Sequence, residues 1–319
     1  MKAAIVRGAG QQPAYEDFEK PALSAGENLV HVSAAAISQI VKSRASGAHY
    51  SSANQFPFVV GIDGVGRLED GRRVYFVLPR APYGSMADVA PVPSNRCIAL
   101  PDDLDDVTAA AIANPGMSSW AAFRERARLE PGETVLINGA TGTSGRLAVQ
   151  IAKYLGAAKV IATGRNADSL KTLERLGADV TIPLTQDKPT LEAAFKEQFA
   201  GGVDVVLDYL WGESAESLLG SAAKAGKDAV PIRYVQIGAI SGADISLPGA
   251  VLRSSAITLM GSGIGSISLD RLVNAIAELF QATVPGGFEI ATTIAPLSEV
   301  EKAWPLDDSN RRTVFTIGN

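Results

Sequence analysis

The residues most suited to chemistry form a glycine-rich turn near the middle of the chain. The apolar segment Val135–Ile137 runs through Asn138 into three glycines, and a helical pattern with apolar residues at four-residue spacing follows. Glycines let the backbone approach a pyrophosphate, and the free N–H groups of a helix start attract the anion. The turn therefore predicts a dinucleotide site, formed by Gly139, Ala140, Thr141, Gly142, Thr143, Ser144 and Gly145.

The match of this turn to the G-x-G-x-x-G fingerprint is imperfect, because Ala140 holds the place of the first glycine. A motif of this kind is weak by itself, and a purely structural turn is the alternative. The prediction depends on the context, since the turn lies between a predicted strand and a predicted helix.

The end of the next predicted strand indicates which dinucleotide binds. An NAD site places a carboxylate there, about 20 residues after the turn, on the ribose hydroxyls. This chain has Gly164, Arg165 and Asn166 instead. A guanidinium matches a phosphate in charge and geometry, so NADP(H) is favoured, with Gly164, Arg165 and Asn166 as cofactor-binding residues. A solvated surface arginine is the alternative for Arg165, and Lys171 either adds charge or lies on a solvated face.

Alternating strands and helices surround this turn and predict a doubly wound parallel sheet. The predicted strands are Thr134–Asn138, Lys159–Thr163, Val180–Ile182, Val203–Leu207 and Tyr234–Gly238. The predicted helices are Arg146–Leu155, Ala167–Leu176, Thr190–Phe199 and Ser214–Ala225, and another amphipathic helix covers Leu269–Gln281.

The first part of the chain has short β-patterns separated by Gly and Pro, which favours a compact antiparallel barrel. One helix is predicted near Ser38–Ala45, and a final strand over Thr313–Ile317 is expected to join the barrel. The predicted domains are therefore 1–115 with 255–319, and an inserted dinucleotide domain over 116–254. The predicted strands of the barrel are Ala3–Val6, Glu27–Val32, Val59–Ile62, Val65–Leu68, Arg73–Val77 and Ser85–Val89.

Composition excludes several classes of partner. The 319 residues carry a net charge of -5 and no long basic run, which argues against a nucleic-acid or membrane partner. The N-terminus has no signal-peptide pattern and no apolar stretch is long enough to span a bilayer, so a cytoplasmic protein is expected. Cys97 is the only cysteine, which excludes an intramolecular disulfide and a multi-thiolate zinc site.

Several stretches in this order resemble the medium-chain dehydrogenase/reductase superfamily, in its zinc-independent quinone oxidoreductase and enoyl-reductase branch. They are Phe56–Gly66, Ala110–Trp120, the Gly139–Gly145 turn, Val235–Gly238 and Arg312–Ile317. The resemblance implies an α/β protein with a GroES-like β-barrel catalytic domain and an inserted Rossmann domain. It also implies a homodimer joined through Rossmann sheets, for which Ala250–Leu259 is the candidate edge.

Where zinc alcohol dehydrogenases of this superfamily hold catalytic zinc, the matching positions look like Ser38, Ile62 and Pro115. None of these side chains is a thiolate or imidazole, so no metal is expected. An enzyme without zinc does not readily ionise an alcohol, so the plausible substrate is a small electron-poor molecule, a quinone or an α,β-unsaturated carbonyl. Hydride transfer then needs positioning, exclusion of water and oxyanion stabilisation.

The resemblance also implies residues near the nicotinamide. Ser38, with Gln39 beside it, is a candidate catalytic residue on this ground. Tyr50 is the second candidate, because it or His49 could supply a proton from the Gly47–Asn54 loop; a surface role in that loop is the alternative, and no dedicated general acid is assigned. Several relatives have Asn at the position of Ser38 and Tyr near Ser43, which this chain lacks. The remaining cofactor-binding candidates are Asn114, Met117, Gln236, Ile237, Gly238, Gly261, Ser262 and Gly263.

Three functions therefore remain open. The first is NADPH-dependent reduction of a quinone or activated alkene. The second is zinc-free alcohol or aldehyde oxidoreduction, which the missing zinc ligands disfavour. The third is a non-catalytic NADPH-binding protein, and only turnover separates it from the first.

Overall fold

The glycine turn belongs to the larger of two units in a computed structural model that describes residues 1–47, 56–308 and 310–318. One unit comprises Met1–Asn114 and Ile276–Asn319, and the other comprises Pro115–Ala275. The chain thus returns to the first unit after residue 275, later than the boundary at 255 that the sequence suggests.

The first unit is built mainly from short strands that alternate with glycine- and proline-containing turns. Its elements before residue 100 are β1 (Lys2–Val6), β2 (Ala14–Asp17), β3 (Glu27–Ala36), α1 (Gln39–Ala45), β4 (Phe58–Val59), β5 (Asp63–Arg67), β6 (Arg73–Val77), β7 (Val89–Pro93), the 3₁₀ turn Ser94–Arg96 and β8 (Cys97–Ala99). Helix α2 (Asp106–Ala121) follows and continues into a π-helical turn over Ala122–Ala127.

The second unit alternates strands and helices, as predicted. Its elements are β9 (Thr134–Asn138), α3 (Thr143–Tyr154), β10 (Lys159–Gly164), α4 (Ala167–Arg175), β11 (Val180–Pro183), α5 (Lys188–Gly201), β12 (Val205–Asp208), α6 (Gly212–Ala225), β13 (Ile232–Gln236), α7 (Gly249–Arg253) and β14 (Ile257–Gly261). Helix α8 (Leu269–Thr283) leads back to the first unit, which ends with β15 (Thr292–Pro296), α9 (Val300–Ala303), β16 (Arg312–Thr316) and 3₁₀ turns at Leu297–Glu299 and Trp304–Leu306.

Strand β3 organises the first unit because it pairs antiparallel with β5, β7 and β16. The larger sheet has the order β15-β16-β3-β5-β6-β8, and a second sheet has the order β2-β1-β4. The final strand therefore joins the N-terminal strands, as the sequence predicts. Apolar side chains from these strands, including Val30, Phe76 and Phe315, pack with Met86 in the larger core cluster of this unit. A smaller cluster contains Ala3, Ile5, Val59 and Ala87.

All strands of the second unit run parallel, in the order β11-β10-β9-β12-β13-β14. Its central strands are apolar on both faces, with Leu136, Ile161 and Val206 fully buried, because helices cover a doubly wound sheet on both sides. This confirms the predicted fold class. No helix in the described ranges is long and apolar enough to cross a membrane.

Several predicted boundaries were wrong, including those of two strands and one helix. The strand expected over Val59–Ile62 ends at Val59, and Gly61 adopts a φ of +99°. The strand expected over Ser85–Val89 instead covers Val89–Pro93, because residues before Val89 contribute only a bridge at Ala87. Helix α3 starts at Thr143 rather than Arg146, since Gly142 is its N-cap.

Candidate functional site

The turn after β9 is held against the neighbouring strand by its first two amides. The Gly139 N–H donates to Thr163 Oγ1 at 3.0 Å, and the Ala140 N–H donates to the Thr163 carbonyl at 2.8 Å. Gly139 has a φ of +83°, a conformation that disfavours other residues. Strand β10 therefore fixes the start of the turn, and the segment after Ala140 is half-buried as far as Ser144.

Two glycines in this turn differ in what surrounds them. A Cβ on Gly145 would lie 2.5 Å from Ala140 Cα, so this glycine is required for packing of helix α3 against the turn. A Cβ on Gly142 would have no atom within 4 Å, and its φ of -76° suits any residue. The protein's own packing therefore does not require glycine at 142, and this position leaves room for an external group to approach the backbone.

Helix α3 begins at this open position without a side-chain cap in the described chain. The first turn of a helix has N–H groups with no helical carbonyl to bind, and the helix dipole adds positive potential there. The first helical hydrogen bond runs from the Arg146 N–H to the Gly142 carbonyl at 2.9 Å. The residues present thus fit a diphosphate, which accepts hydrogen bonds from amides at such a site.

A buried polar network supports the turn from inside the sheet. Asp208 accepts hydrogen bonds from Asn138 Nδ2 at 2.8 Å and from the Tyr234 hydroxyl at 2.7 Å. The Thr163 hydroxyl donates to Asn138 Oδ1 at 2.8 Å. This network joins β9, β10, β12 and β13. Sequence reasoning missed it, although a polar residue at the end of several buried strands was the available signal.

The Tyr234 hydroxyl provides a test of this network, since burial and then the adjacent Asp208 carboxylate raise the pKa of Tyr234. We expect Tyr234→Phe to lower the free energy of unfolding by about 1–3 kcal/mol, because a buried carboxylate oxygen loses its partner. Chemical denaturation measures the change. Tyr15→Phe is the control, because its hydroxyl has no hydrogen bond among the described residues; an equal effect of both variants would contradict the role of Tyr234.

The adenosine end of the site is predicted around Arg165, which directly follows β10. Arg165 is exposed and has no hydrogen bond or ion pair to any described residue. Asn166 is the N-cap of α4, where its Oδ1 accepts the Ser169 N–H at 2.8 Å. The Asn166 side chain thus has a structural role, while the Arg165 guanidinium remains available for a ligand.

Arg146 is a second cation, which sequence reasoning named only as the start of a helix. Its Nη2 donates to Ser169 Oγ at 3.4 Å, across the gap between the starts of α3 and α4. Its Nε is buried without a hydrogen-bond partner in the part of the chain that is described. Arg146 therefore has unused hydrogen-bonding capacity beside the turn.

Two stretches predicted to surround the nicotinamide lie together at the ends of β13 and β14. Gln236 pairs with Gly261, and the Ser262 N–H donates to the Gln236 carbonyl at 2.8 Å. Gln236 Nε2 donates to the Gly238 carbonyl at 2.9 Å, and the Ile237 N–H donates to the Asp208 carbonyl at 2.7 Å. The structure thus places Gln236–Gly238 and Gly261–Gly263 at the carboxyl ends of the parallel strands, where the turn also lies.

The other predicted residues have different surroundings. Asn114 and Met117 are half-buried in α2. Ser38 is 2% exposed and caps α1, where its Oγ accepts the Val41 N–H at 3.3 Å. Tyr50 and His49 lie outside the described residues, so the structure does not bear on their predicted role.

The three positions that match the zinc ligands of zinc-dependent members carry side chains that do not bind zinc. Ser38 is a helix cap, Ile62 lies just before β5 and Pro115 lies inside α2. Within residues 1–47, 56–308 and 310–318, no group of three His, Cys, Asp or Glu side chains is placed to hold a metal ion.

A doubly wound parallel sheet with a glycine turn at the start of a helix is the architecture of a dinucleotide-binding domain, and here it accompanies a separate β-unit formed from both ends of the chain. The family model described as "Zinc-binding dehydrogenase" matches residues 145–281. A "Probable NADPH-dependent quinone reductase tdiC" from Emericella nidulans is 33% identical, over 99% of this chain and 100% of that protein.

Solved structures agree with this relationship. The quinone oxidoreductase from Thermus thermophilus, whose structure with NADPH is known, has 26% identity and a TM-score of 0.81 over 99% of this chain and 100% of that one. A mycobacterial quinone oxidoreductase has the same fold, with a TM-score of 0.85, 22% identity and 99% coverage of both chains. The chain belongs to the medium-chain dehydrogenase/reductase superfamily, in its quinone oxidoreductase-like branch.

Proposed function

We propose that this protein is an NADPH-dependent oxidoreductase that reduces a quinone or another activated alkene without a metal. The observation that carries this proposal is the open position at Gly142, where the chain itself needs no glycine and an uncapped helix begins. The names of the relatives, one an NADPH-dependent quinone reductase and one solved with NADPH, support the choice of cofactor and acceptor.

Each part of the second unit then has a role toward NADPH. The amides of Thr141–Gly145 bind the diphosphate, and the Asp208 network keeps the strand ends that carry the turn in place. The guanidinium of Arg165, assisted by Arg146, binds the phosphate on the adenosine ribose. The Gln236–Gly238 and Gly261–Gly263 stretches bind the nicotinamide end, together with Asn114 and Met117.

When bound, NADPH supplies the hydride, so the protein needs only to position the acceptor, exclude water and stabilise the developing oxyanion. Ser38 and Tyr50 are the residues proposed to provide a proton or a hydrogen bond to that oxygen. The Ser38 hydroxyl accepts the Val41 N–H, so its own proton remains available to an acceptor oxygen.

A panel of acceptors tests this function. We expect NADPH to be oxidised in the presence of 1,4-benzoquinone or an enone, with NADH used less well and with no effect of a zinc chelator. Loss of NADPH absorbance measures the rate. Oxidation of a simple alcohol with NADP⁺ as the preferred reaction would instead support the alcohol dehydrogenase alternative, and NADPH binding without turnover would support the non-catalytic one.

We also propose that the protein acts in the cytoplasm as a homodimer, joined through β14. This strand is the edge of the six-stranded sheet, and Leu259 on it is 37% exposed. The Ala256 carbonyl and the Ser262 N–H both form hydrogen bonds with β13, so the even-numbered residues of β14 face β13. Backbone groups alternate in direction along a strand, and the N–H of Leu259 therefore points away from the sheet. An edge of this kind is suited to pairing with a second copy across a two-fold axis.

Leu259→Pro tests this interface, because proline removes the outward N–H without removing a hydrogen bond to β13. We expect the wild-type protein to be a dimer by light scattering at micromolar concentration and Leu259→Pro to be a monomer. Leu259→Thr retains the N–H and should stay dimeric. A monomeric wild-type protein, or a dimeric proline variant with unchanged dissociation, would contradict the proposal.

A further inference from the structure

The first unit contains a small cavity that none of the assigned functions explains. Its volume is about 90 Å³, whereas a single water needs only about 10–15 Å³. The walls are mostly aromatic and aliphatic, and they include Val41, Phe56, Phe58, Ile62, Leu78 and Tyr83. A cavity of this kind suits the apolar body of a small molecule or one end of a larger one.

One charged side chain, Arg44 at the end of α1, lines this cavity. It is partly buried, and burial lowers the pKa of Arg44 with no carboxylate to offset the effect. No hydrogen bond or ion pair joins it to a residue that the structure describes, and the sequence of residues 48–55 contains no Asp or Glu.

The other charged groups near Arg44 in the chain or at the cavity rim already have partners. Lys42 forms an ion pair with Asp307 at 2.7 Å. Arg80, which lies 5.5 Å from the Tyr83 ring centroid, forms an ion pair with Glu27 at 2.8 Å. The carboxylates of these pairs are thus engaged, and Arg44 has no counter-ion among the described residues.

We propose that this cavity binds the carboxylate of a small molecule with an apolar body, and that Arg44 holds the carboxylate. A partly buried cation without a partner is unfavourable, and a planar guanidinium binds a carboxylate through two parallel hydrogen bonds. A single cation among apolar walls matches one negative charge rather than the two of a phosphate monoester. The ligand is therefore a monocarboxylate.

Ile62 lines this cavity and, by the family resemblance, matches a zinc-ligand position of zinc-dependent members. If the proposed function is correct, on which this step depends, the preferred acceptor is an activated alkene that also carries a carboxylate. Its reduction breaks the π bond of the alkene and forms two C–H bonds, one with the hydride of NADPH and one with a proton, while NADPH is oxidised to NADP⁺.

Binding of an unreactive pair of compounds tests the cavity without turnover. 4-Oxo-4-phenylbutanoate and its amide have the same shape and differ in charge. We expect titration calorimetry on the full chain to show at least about tenfold tighter binding of the acid. Arg44→Gln should abolish this difference, Arg44→Lys should keep part of it, and Arg72→Gln, at an exposed arginine, should leave it intact.

Equal binding of acid and amide, or an Arg44→Gln variant that still prefers the acid, would overturn the proposal. Melting temperature and NADPH affinity show whether each variant is folded. If Arg44→Gln does not fold, the preference of Arg44→Lys for the acid provides the test.

Turnover of the matching unsaturated pair, 4-oxo-4-phenylbut-2-enoate and its amide, separates this proposal from the proposed function. Reduction of both compounds with equal kcat/KM would overturn the carboxylate site and leave the reductase function standing. Arg44-dependent binding of the acid with no NADPH oxidation by any acceptor would overturn the reductase function and leave the site standing.

Discussion

Replacing Gly142 with valine should weaken NADPH binding by more than about 100-fold. The valine side chain would keep the diphosphate from at least two of the backbone amides, and each of these charge-assisted hydrogen bonds is worth ~1.5–3 kcal/mol. The φ of -76° and ψ of 171° at Gly142 are acceptable for valine, and its Cβ would contact no atom of the chain within 4 Å. The folded structure should therefore be retained. Titration of the variant with NADPH measures the loss, and its melting temperature should match that of the wild type.

Two other glycines provide the controls. Gly220 also has open space where an added methyl group would lie, so Gly220→Ala should leave NADPH affinity unchanged without destabilising the fold. Gly145→Val should instead destabilise the fold, because its Cβ would lie 2.5 Å from Ala140 Cα. Undiminished NADPH binding by a folded Gly142→Val variant would show that the diphosphate does not approach this turn.

Replacing Arg165 with alanine should have the second largest effect, confined to NADPH. Loss of a charge-assisted contact to the ribose phosphate should weaken NADPH binding by roughly 10–100-fold, or ~1.5–3 kcal/mol, while NADH binding stays the same. The kcat/KM values for both coenzymes with one acceptor measure the change in preference. If both guanidinium groups act on the same phosphate, as proposed, Arg165→Ala combined with Arg146→Gln should show a further loss.

Lys171→Ala is the matched control, since this side chain is exposed and lies 3.7 Å from the Asp168 carboxylate. It should change the preference for NADPH little. Wild-type protein that uses NADH at least as well as NADPH, or an Arg165→Ala variant that loses both coenzymes equally, would contradict the assignment of Arg165.

The parts of the fold that local pattern determines could be predicted from the sequence. Strands β6 and β9 have the predicted bounds, because runs of buried apolar residues mark both of them. Strand β14, the sixth strand of the parallel sheet, lies beyond the predicted domain boundary at 254, although the family resemblance implied a sheet edge over Ala250–Leu259. Its residues are exposed or only partly buried, so periodicity alone does not distinguish a sheet edge from a connection.

The bounds of helix α2 were not predicted either. Its apolar residues are spread around the helix and Pro115 lies inside it, so neither periodicity nor a terminating residue marks its extent. Long-range packing buries most of its side chains and overrides the local signal.

In the candidate site, too, some residues could be predicted from the sequence and others could not. The turn and Arg165 were predicted from a strand–turn–helix context with recognisable spacing, and the Gln236–Gly238 and Gly261–Gly263 stretches were predicted from the family resemblance. The Asp208 network, Arg146 and Arg44 were not, since each depends on residues far apart in the chain. Arg44 in particular differs from a surface arginine only in its apolar surroundings and in the absence of a partner within the described residues.

A crystal structure of the protein with NADPH tests the central claim most directly. The diphosphate is expected against the backbone amides of Thr141–Gly145, with the phosphate of the adenosine ribose in hydrogen-bond contact with the guanidinium of Arg165. NADPH bound elsewhere, or a turn that stays empty at saturating NADPH, would contradict the account.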